Sequence, residues 1–371
     1  MRYRLLPEWS PHRGSWITLP RRGGDWECCW EEVVESFKKL VEAIAQFEPV
    51  IAVVEPGERS FWETQLPRQN VELREALSND TWCRDYGGIP VEKVSKGERT
   101  PQREQGEEKG KREREREKEE KEIKIEEEKK RREIETHSPN LNPNRGVLDF
   151  KFNGWGLKYP ANWDNRLTRH LFGEEILESF NFVLEGGGVE TNGKILLTTR
   201  SSTLEENRNY PHTQREVDNF FKTIFAVEEV IWITGTPLLG DDTDGHIDTL
   251  ARFINPTTLL YASTTPENPN YPQLAQLEKE LKTLLSPKGI RLVPIPLPEP
   301  IIWEGRYLPA TYINFYLVNG GVILPIYNDP KDKEVIELFQ KLMPTSKIVP
   351  VDASIFVRQN GSIHCLTRDI H

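Results

Sequence analysis

The stretch Leu184-Glu185-Gly186-Gly187-Gly188-Val189-Glu190-Thr191-Asn192-Gly193-Lys194-Ile195-Leu196-Leu197-Thr198-Thr199 reads as two short strands joined at Asn192-Gly193. That dipeptide suits the left-handed residues of a tight hairpin turn. Downstream, Thr213 and Glu216 have capping-box spacing and start a helix, and Val230-Ile231-Trp232-Ile233 supplies a third strand. The same order returns twice. Thr249 to Ser263 predicts a hairpin turning near Asn255-Pro256, then a helix around 272–285 and a strand from Arg291 to Ile295. Tyr312 to Tyr327 predicts a hairpin turning at Asn319-Gly320, then a helix around 332–342 and a strand from Lys347 to Val351. Glu185, Asp248 and Tyr312 hold similar places about 63 residues apart, a period that signals repeated units. The fold class is therefore α/β. Its ββαβ units are expected as wedges of a radial array in one domain spanning 1–371, with site residues converging at the centre.

Earlier in the chain, Val33, Val34, Phe37, Leu40, Val41 and Ile44 share one face of a helix expected over 30–46. The strand Val50-Ile51-Ala52-Val53-Val54 follows it. Residues 97–136 are different material. Between Glu98 and Glu135 there are 14 Lys+Arg against 15 Asp+Glu and few apolar residues, so this block cannot bury a core of its own. It is expected to be a charged insertion, helical or disordered, leaving from a hairpin between Gly88-Ile89-Pro90-Val91 and Val147-Leu148-Asp149-Phe150-Lys151-Phe152. Because the block nearly cancels itself, most of the chain's formal charge of −10 belongs to the body. An acidic surface repels phosphate backbones and attracts small cations, which excludes nucleic acid as the expected partner.

No stretch is long and apolar enough to span a membrane, and the first residues lack an apolar signal-peptide core. Four cysteines, Cys28, Cys29, Cys83 and Cys365, do not make a disulfide framework in a chain of 371 residues. The expected compartment is the reducing cytoplasm.

Four segments carry candidate chemistry. Gly240-Asp241-Asp242-Thr243-Asp244-Gly245-His246-Ile247-Asp248 sets a base beside a carboxylate. On an extended segment His246 and Asp248 would share a face, as a proton-transfer pair or a cation site. An oxygen-rich metal site is the rival for this cluster, but its spacing departs from the calcium-loop pattern and no distant His or Cys set completes it. Cys365 follows a Gly-containing loop and stands next to His364. Taken alone it reads first as an inert core thiol and only second as a nucleophile. Glu185 opens a Gly-Gly-Gly run, where backbone can approach a ligand closely. Asp85 lies in Trp82-Cys83-Arg84-Asp85-Tyr86-Gly87, where it reads either as a site residue or as the partner of Arg84.

Taken together, the segments resemble the agmatine deiminase / bacterial peptidylarginine deiminase family of guanidine-modifying enzymes. The resemblance runs from Glu8-Trp9-Ser10-Pro11-His12 through Trp82 to Gly87, Phe152-Asn153-Gly154-Trp155-Gly156-Leu157-Lys158-Tyr159 and Glu185-Gly186-Gly187. It continues through Gly240 to Asp248, Asn314-Phe315-Tyr316 with Asn319-Gly320, and Ile363-His364-Cys365. It implies a five-bladed α/β propeller and a deiminase that hydrolyses agmatine to N-carbamoylputrescine and ammonia, a step of polyamine synthesis. The implied roles are Cys365 as nucleophile, His246 as proton carrier, Glu185 as the carboxylate orienting that histidine, and Asp85 and Asp248 as holders of the guanidinium. Trp82 and Asp244 join Asp85 and Asp248 as expected substrate contacts. No metal or organic cofactor is implied, the substrate is a small cationic guanidino compound, and homo-oligomerisation stays open. Two departures stand out: the loop Arg358-Gln359-Asn360-Gly361-Ser362 is poorer in glycine than the family's, and Tyr86 follows Asp85 where a threonine is common. Peptidyl arginine, another guanidino amine, and a polyamine-binding protein without catalysis remain as alternatives.

Overall fold

The structure is a computed structural model that describes residues 2–94 and 144–371. The charged insertion expected over 97–136 lies outside these residues. Residues 2–93 and 144–371 lie in one compact unit of mixed α/β architecture.

Five sheets of like order are built along the chain. In each, an antiparallel pair is followed by a helical crossover to a parallel strand. Val189–Thr191 pairs antiparallel with Ile195–Thr199, and the helix Gln214–Ile224 leads to Glu229–Ile233, parallel to it. Ala251–Asn255 pairs with Thr258–Ser263, and the helix Tyr271–Leu285 leads to Arg291–Pro296. Tyr316–Val318 pairs with Gly321–Ile326, and the helix Asp332–Leu342 leads to Lys347–Asp352. The fourth sheet joins distant parts of the sequence. Thr367–Ile370 pairs antiparallel with Gly14–Thr18, the helix Trp30–Ala45 leads to Val50–Val54, and Val71–Glu75 extends the parallel set. The fifth runs Tyr3–Leu5, Ile89–Lys93, Arg145–Lys151 and Ile176–Val183.

These elements form for the reasons the sequence contains. Thr213 accepts from the Glu216 N–H while the Glu216 carboxylate accepts from the Thr213 N–H, a complete capping box. The helix Trp30–Ala45 buries Val33, Val34, Phe37, Leu40, Val41, Ala43 and Ile44 against the sheet, an amphipathic stripe at helical spacing. The strands beneath, such as Ile195–Thr199, are buried on both faces, as parallel strands under crossover helices must be.

Two expectations about local structure change. The hairpins start later than their apolar runs suggest. Gly186–Gly188 is a 3-10 turn and Ile247–Leu250 one turn of helix, so strands begin only at Val189 and Ala251. Glu185 and Asp248 thus sit on turns that feed the sheets. His246 and Asp248 are accordingly not alternate residues of a strand; His246 is the N-terminal cap position of the short helix. Tyr312, third in the repeat, also precedes its strand, but donates its hydroxyl to Asp332 at the start of a helix (2.7 Å). No helix among the described residues is long and apolar enough to cross a membrane.

Candidate active site

The turns preceding the strands bring Asp85, Glu185, His246, Asp248 and Cys365 together, each no more than 5% exposed. Glycine makes the approach possible. A Cβ on Gly187 would lie 2.7 Å from His246 Nδ1, 2.9 Å from Asp248 Oδ2 and 2.9 Å from Asp85 Oδ1. Those three polar atoms therefore crowd one small volume, and only a hydrogen at position 187 leaves it open.

Each side chain is held from outside that volume. Asp85 Oδ1 accepts from the Gly187 N–H (2.8 Å) and Oδ2 from the Trp155 indole N–H (2.8 Å). Trp155 reaches it from a loop in which Gly154, Trp155, Gly156 and Leu157 all have left-handed φ, between +54° and +78°. Two of these are not glycine, so the loop carries strain of about 1–3 kcal/mol per such residue. Arg84 does not pair with Asp85: its guanidinium donates to Asp369 (2.7 Å) and Glu8 (3.1 Å). Reading Asp85 as merely the neighbour's counter-ion therefore falls.

His246 Nε2 lies 2.7 Å from Glu185 Oε2, and Nδ1 is 3.6 Å from Asp85 Oδ1. Glu185 in turn takes Arg208 Nε on both oxygens, at 3.0 and 2.9 Å. Burial alone would push the imidazole's pKa down, but Asp85, Glu185 and Asp248 overcome it and raise it to about 9. Burial works against the Glu185 carboxylate as well, yet Arg208 and His246 hold it below the usual range. His246 Nδ1 and Asp248 Oδ1 are both buried without a hydrogen-bond partner.

Cys365 Sγ accepts from Asn314 Nδ2 (3.3 Å), and the Cys365 N–H donates to Asn314 Oδ1 (3.3 Å). Asp248 Oδ2 is 3.8 Å from the sulfur. Burial, then the Asp248 and Asp85 charges, push the thiol well above its ordinary value. The glycine-poor loop before it works because Asn360 takes a left-handed turn at φ +67°, a conformation asparagine tolerates. Gly361 then lies flat on Trp82, where a Cβ would come within 2.3 Å of the ring.

A cavity of about 90 Å³ opens onto Cys365 and Asp85, walled by Trp82, Trp155 and Tyr159 and reaching Asp25, Asp80 and Asp242. Trp82 thus faces the cavity and also packs on Trp26 (centroids 5.9 Å). Burial, then the Asp25 and Asp242 charges, lift the Asp80 carboxyl to about 7. Asp244 is placed differently from the other expected contacts. Its Oδ1 accepts from Lys158 (2.7 Å) and its Oδ2 from Arg208 (2.7 Å), so it reaches the site through the arginine that holds Glu185.

The acidic run does not assemble as one cation site. Asp241 accepts from Thr243 and the Gly245 N–H, and Asp242 from Tyr159 and Asn360. Elsewhere His12, Asp369 and His371 come within 4.8 Å of one another. Both His12 nitrogens, however, are engaged by Glu48 (3.0 Å) and the Glu8 carbonyl (2.6 Å). Arg208, Trp155, Asn314 and Glu8 were not assigned roles from sequence. The last three lie inside the motifs quoted above, so the signal was present without its meaning.

Known proteins resemble the chain over nearly its whole length. The chain is 28% identical over 397 aligned positions to the agmatine deiminase of Ectopseudomonas mendocina, covering 99% of this chain and 95% of the relative. It is similar to a cysteine-to-serine variant of C. jejuni agmatine deiminase solved with substrate bound. That match has 31% identity and a TM-score of 0.82, covering 100% of this chain and 96% of the other. The Enterococcus faecalis agmatine deiminase matches with a TM-score of 0.78 at 25% identity, covering 99% and 95%. These likenesses make the chain a hydrolase acting on C–N bonds. The model of the Porphyromonas-type peptidyl-arginine deiminases matches residues 4–370, and the chain belongs to that family.

Proposed function

We propose that the protein is an agmatine deiminase, hydrolysing agmatine to N-carbamoylputrescine and ammonia through a covalent intermediate on Cys365. One observation carries the reading: the pocket ends on Asp85 and the Cys365 thiol, with Asp248 Oδ2 3.8 Å from that sulfur and His246 Nδ1 3.6 Å from Asp85 Oδ1. A planar guanidinium supplies hydrogen-bond donors in a fork and a charge that two carboxylates can hold. Asp85 and Asp248 hold it, with Trp82 and Trp155 as the walls.

In the empty site the thiol keeps its proton. A cation seated between the sulfur and the carboxylates reverses the local field, and the thiol proton leaves to solvent. The thiolate attacks the central guanidinium carbon. His246, protonated at neutral pH, gives its proton to the departing nitrogen, and ammonia leaves a thiouronium on Cys365. Water then attacks and His246 takes one of its protons; as the C–S bond breaks, the remaining hydroxyl proton passes to the leaving sulfur, giving the ureido product and the thiol. Glu185, fixed by Arg208, keeps His246 oriented and charged.

The far wall favours agmatine. Asp25, Asp80 and Asp242 meet there, ready for a second cationic group. Free arginine would bring its own carboxylate against them, and peptidyl arginine a neutral backbone. The same reading sets the five sheets as the blades of a five-bladed α/β propeller. Their like strand order supports it, and so does the origin of the site residues from the turns between them. Cytoplasmic residence and a place in putrescine synthesis go with this proposal.

The test is product analysis with agmatine, arginine and a blocked arginine peptide, reading ammonia and ureido product, with Cys365→Ala alongside and with and without a chelator. Turnover of agmatine alone, abolished in the variant and indifferent to chelator, supports the proposal. Full activity of Cys365→Ala, or silence of the wild type on all three substrates, rejects it.

A further inference from the structure

Asp248 keeps Oδ1 buried without a partner and commits Oδ2, the oxygen 3.8 Å from Cys365 Sγ. Its Oδ2 lies 2.6 Å from His364 Nδ1, and the opposite nitrogen of that ring lies 2.7 Å from Glu8 Oε2. With a short contact on each ring nitrogen, the imidazole is a rigid bar joining two buried acids. Behind it Glu8 is anchored from several sides. Arg84 donates to Oε2 (3.1 Å), and Arg252 (2.7 Å) and the Leu317 N–H (2.8 Å) donate to Oε1. Arg252 is itself held by Glu190 (2.7 Å) and the Phe315 carbonyl (2.6 Å).

The backbone of His364 is pinned as firmly. Its N–H donates to Asn314 Oδ1 (3.0 Å) and lies 3.1 Å from the Asn314 carbonyl, and its carbonyl accepts from Arg84 Nε (3.3 Å). The amide of the same Asn314 reaches Cys365 Sγ. Two successive residues on one pinned turn therefore reach the two halves of the chemistry: Cys365 the attacking atom, His364 the carboxylate facing the group attacked. Left without the ring, Asp248 would have two buried oxygens to satisfy and freedom to turn away from its place beside the sulfur.

We propose that His364 is a positioning residue. It clamps Asp248 to the Glu8–Arg84–Arg252 cluster and so fixes the rotamer that sets this carboxylate beside the Cys365 sulfur, where it can hold the guanidinium. This rests on the reading of the pocket as a guanidinium site. Burial opposes the charge on Asp248, but the His364 hydrogen bond and charge, then His246 and Arg252, hold its carboxyl below the usual range, consistent with a clamp on the ionised form.

The two ring nitrogens can be replaced separately. An asparagine amide reaches the place of Nδ1, and a glutamine amide that of Nε2. His364→Asn therefore keeps the Asp248 bond, whereas His364→Gln keeps the Glu8 bond. The readout is protection of Cys365 from iodoacetamide by guanidinium chloride at low concentration, followed by peptide mass at Cys365, with KM and kcat for agmatine alongside. The half-protecting concentration and KM should rise about tenfold or more in His364→Gln and stay within about threefold of wild type in His364→Asn. kcat should change less than KM. Equal effects of the two variants, or none in either, overturn the proposal, because a merely structural ring would not separate them. If either variant fails to fold, Glu8→Gln decides: a weaker guanidinium protection supports the clamp and unchanged protection rejects it. A wild type that guanidinium does not protect, yet which turns over agmatine, would sink the clamp while sparing the reaction. A wild type that does neither would sink both.

Discussion

His246 meets Glu185 through Nε2 at 2.7 Å, so the nitrogen left over for the pocket is Nδ1. With Asp85 and Asp248 nearby as well, the ring is raised to about 9 despite its burial. A group raised in this way keeps its proton at neutral pH and loses it as pH rises through the shifted value. Turnover should therefore fall on the alkaline side near pH 9. Glu185→Gln removes one of the charges that raise the ring, so the alkaline limb should move to lower pH by about one unit. A pH profile of kcat in the two proteins checks this; an unmoved limb would assign it to another group.

Gly187→Ala places a methyl group among His246 Nδ1, Asp248 Oδ2 and Asp85 Oδ1. Activity should drop by at least about a hundredfold, for a stability cost of about 1–3 kcal/mol from overpacking. Kinetics beside thermal melting separate the two effects. Near-normal kcat/KM would mean that the substrate does not occupy that space.

At the other end of the pocket, Asp242→Asn should raise KM for agmatine about three- to tenfold and leave KM for butylguanidine, which lacks the amine, nearly unchanged. Asp80, lifted to about 7, is protonated below that pH, so agmatine should bind more tightly as pH climbs from about 6 to 8. The same titration with butylguanidine should be flatter.

Glu92 pairs with Arg145, and the Lys93 N–H donates to the Asn144 carbonyl (2.7 Å). The hairpin is therefore closed before the charged block starts. Replacing residues 98–135 with a short Gly-Ser link should leave kcat/KM within about threefold, since a longer or shorter loop changes closure entropy only slowly. Loss of activity in a folded deletion variant would place the block in the site or in an assembly contact.

The sequence made the hairpin–helix–strand order readable because Asn-Gly turns, a capping box and apolar periodicity are local signals. The predicted helix 332–342 is observed as Asp332–Leu342, and its third strand differs by one residue. Where the strands began was not legible. Val189 and Ala251 continue apolar runs whose first residues are drawn into turns by contacts from distant segments, such as Asp85 on the Gly187 N–H. The same holds for the site. Cys365, His246, Glu185, Asp85 and Asp248 do converge, whereas Arg208 lies in an unremarkable polar stretch and finds Glu185 only through the fold. Asp244 is expected as a substrate contact because nothing in its sequence neighbourhood shows that Lys158 and Arg208 take both oxygens.

The carboxylate pair Asp85 and Asp248 also bears on how a catalytic cycle ends. Under the proposed reaction the guanidinium arrives with one positive charge and leaves as a neutral ureido group. The attraction at the reacting end is cancelled by the chemistry itself, so the product is held by charge only at its amine, against Asp25, Asp80 and Asp242. The two acids are left facing one another and the imidazole, and the next cation to arrive relieves that repulsion. Deimination thus loosens its own product at the end where the bond was broken.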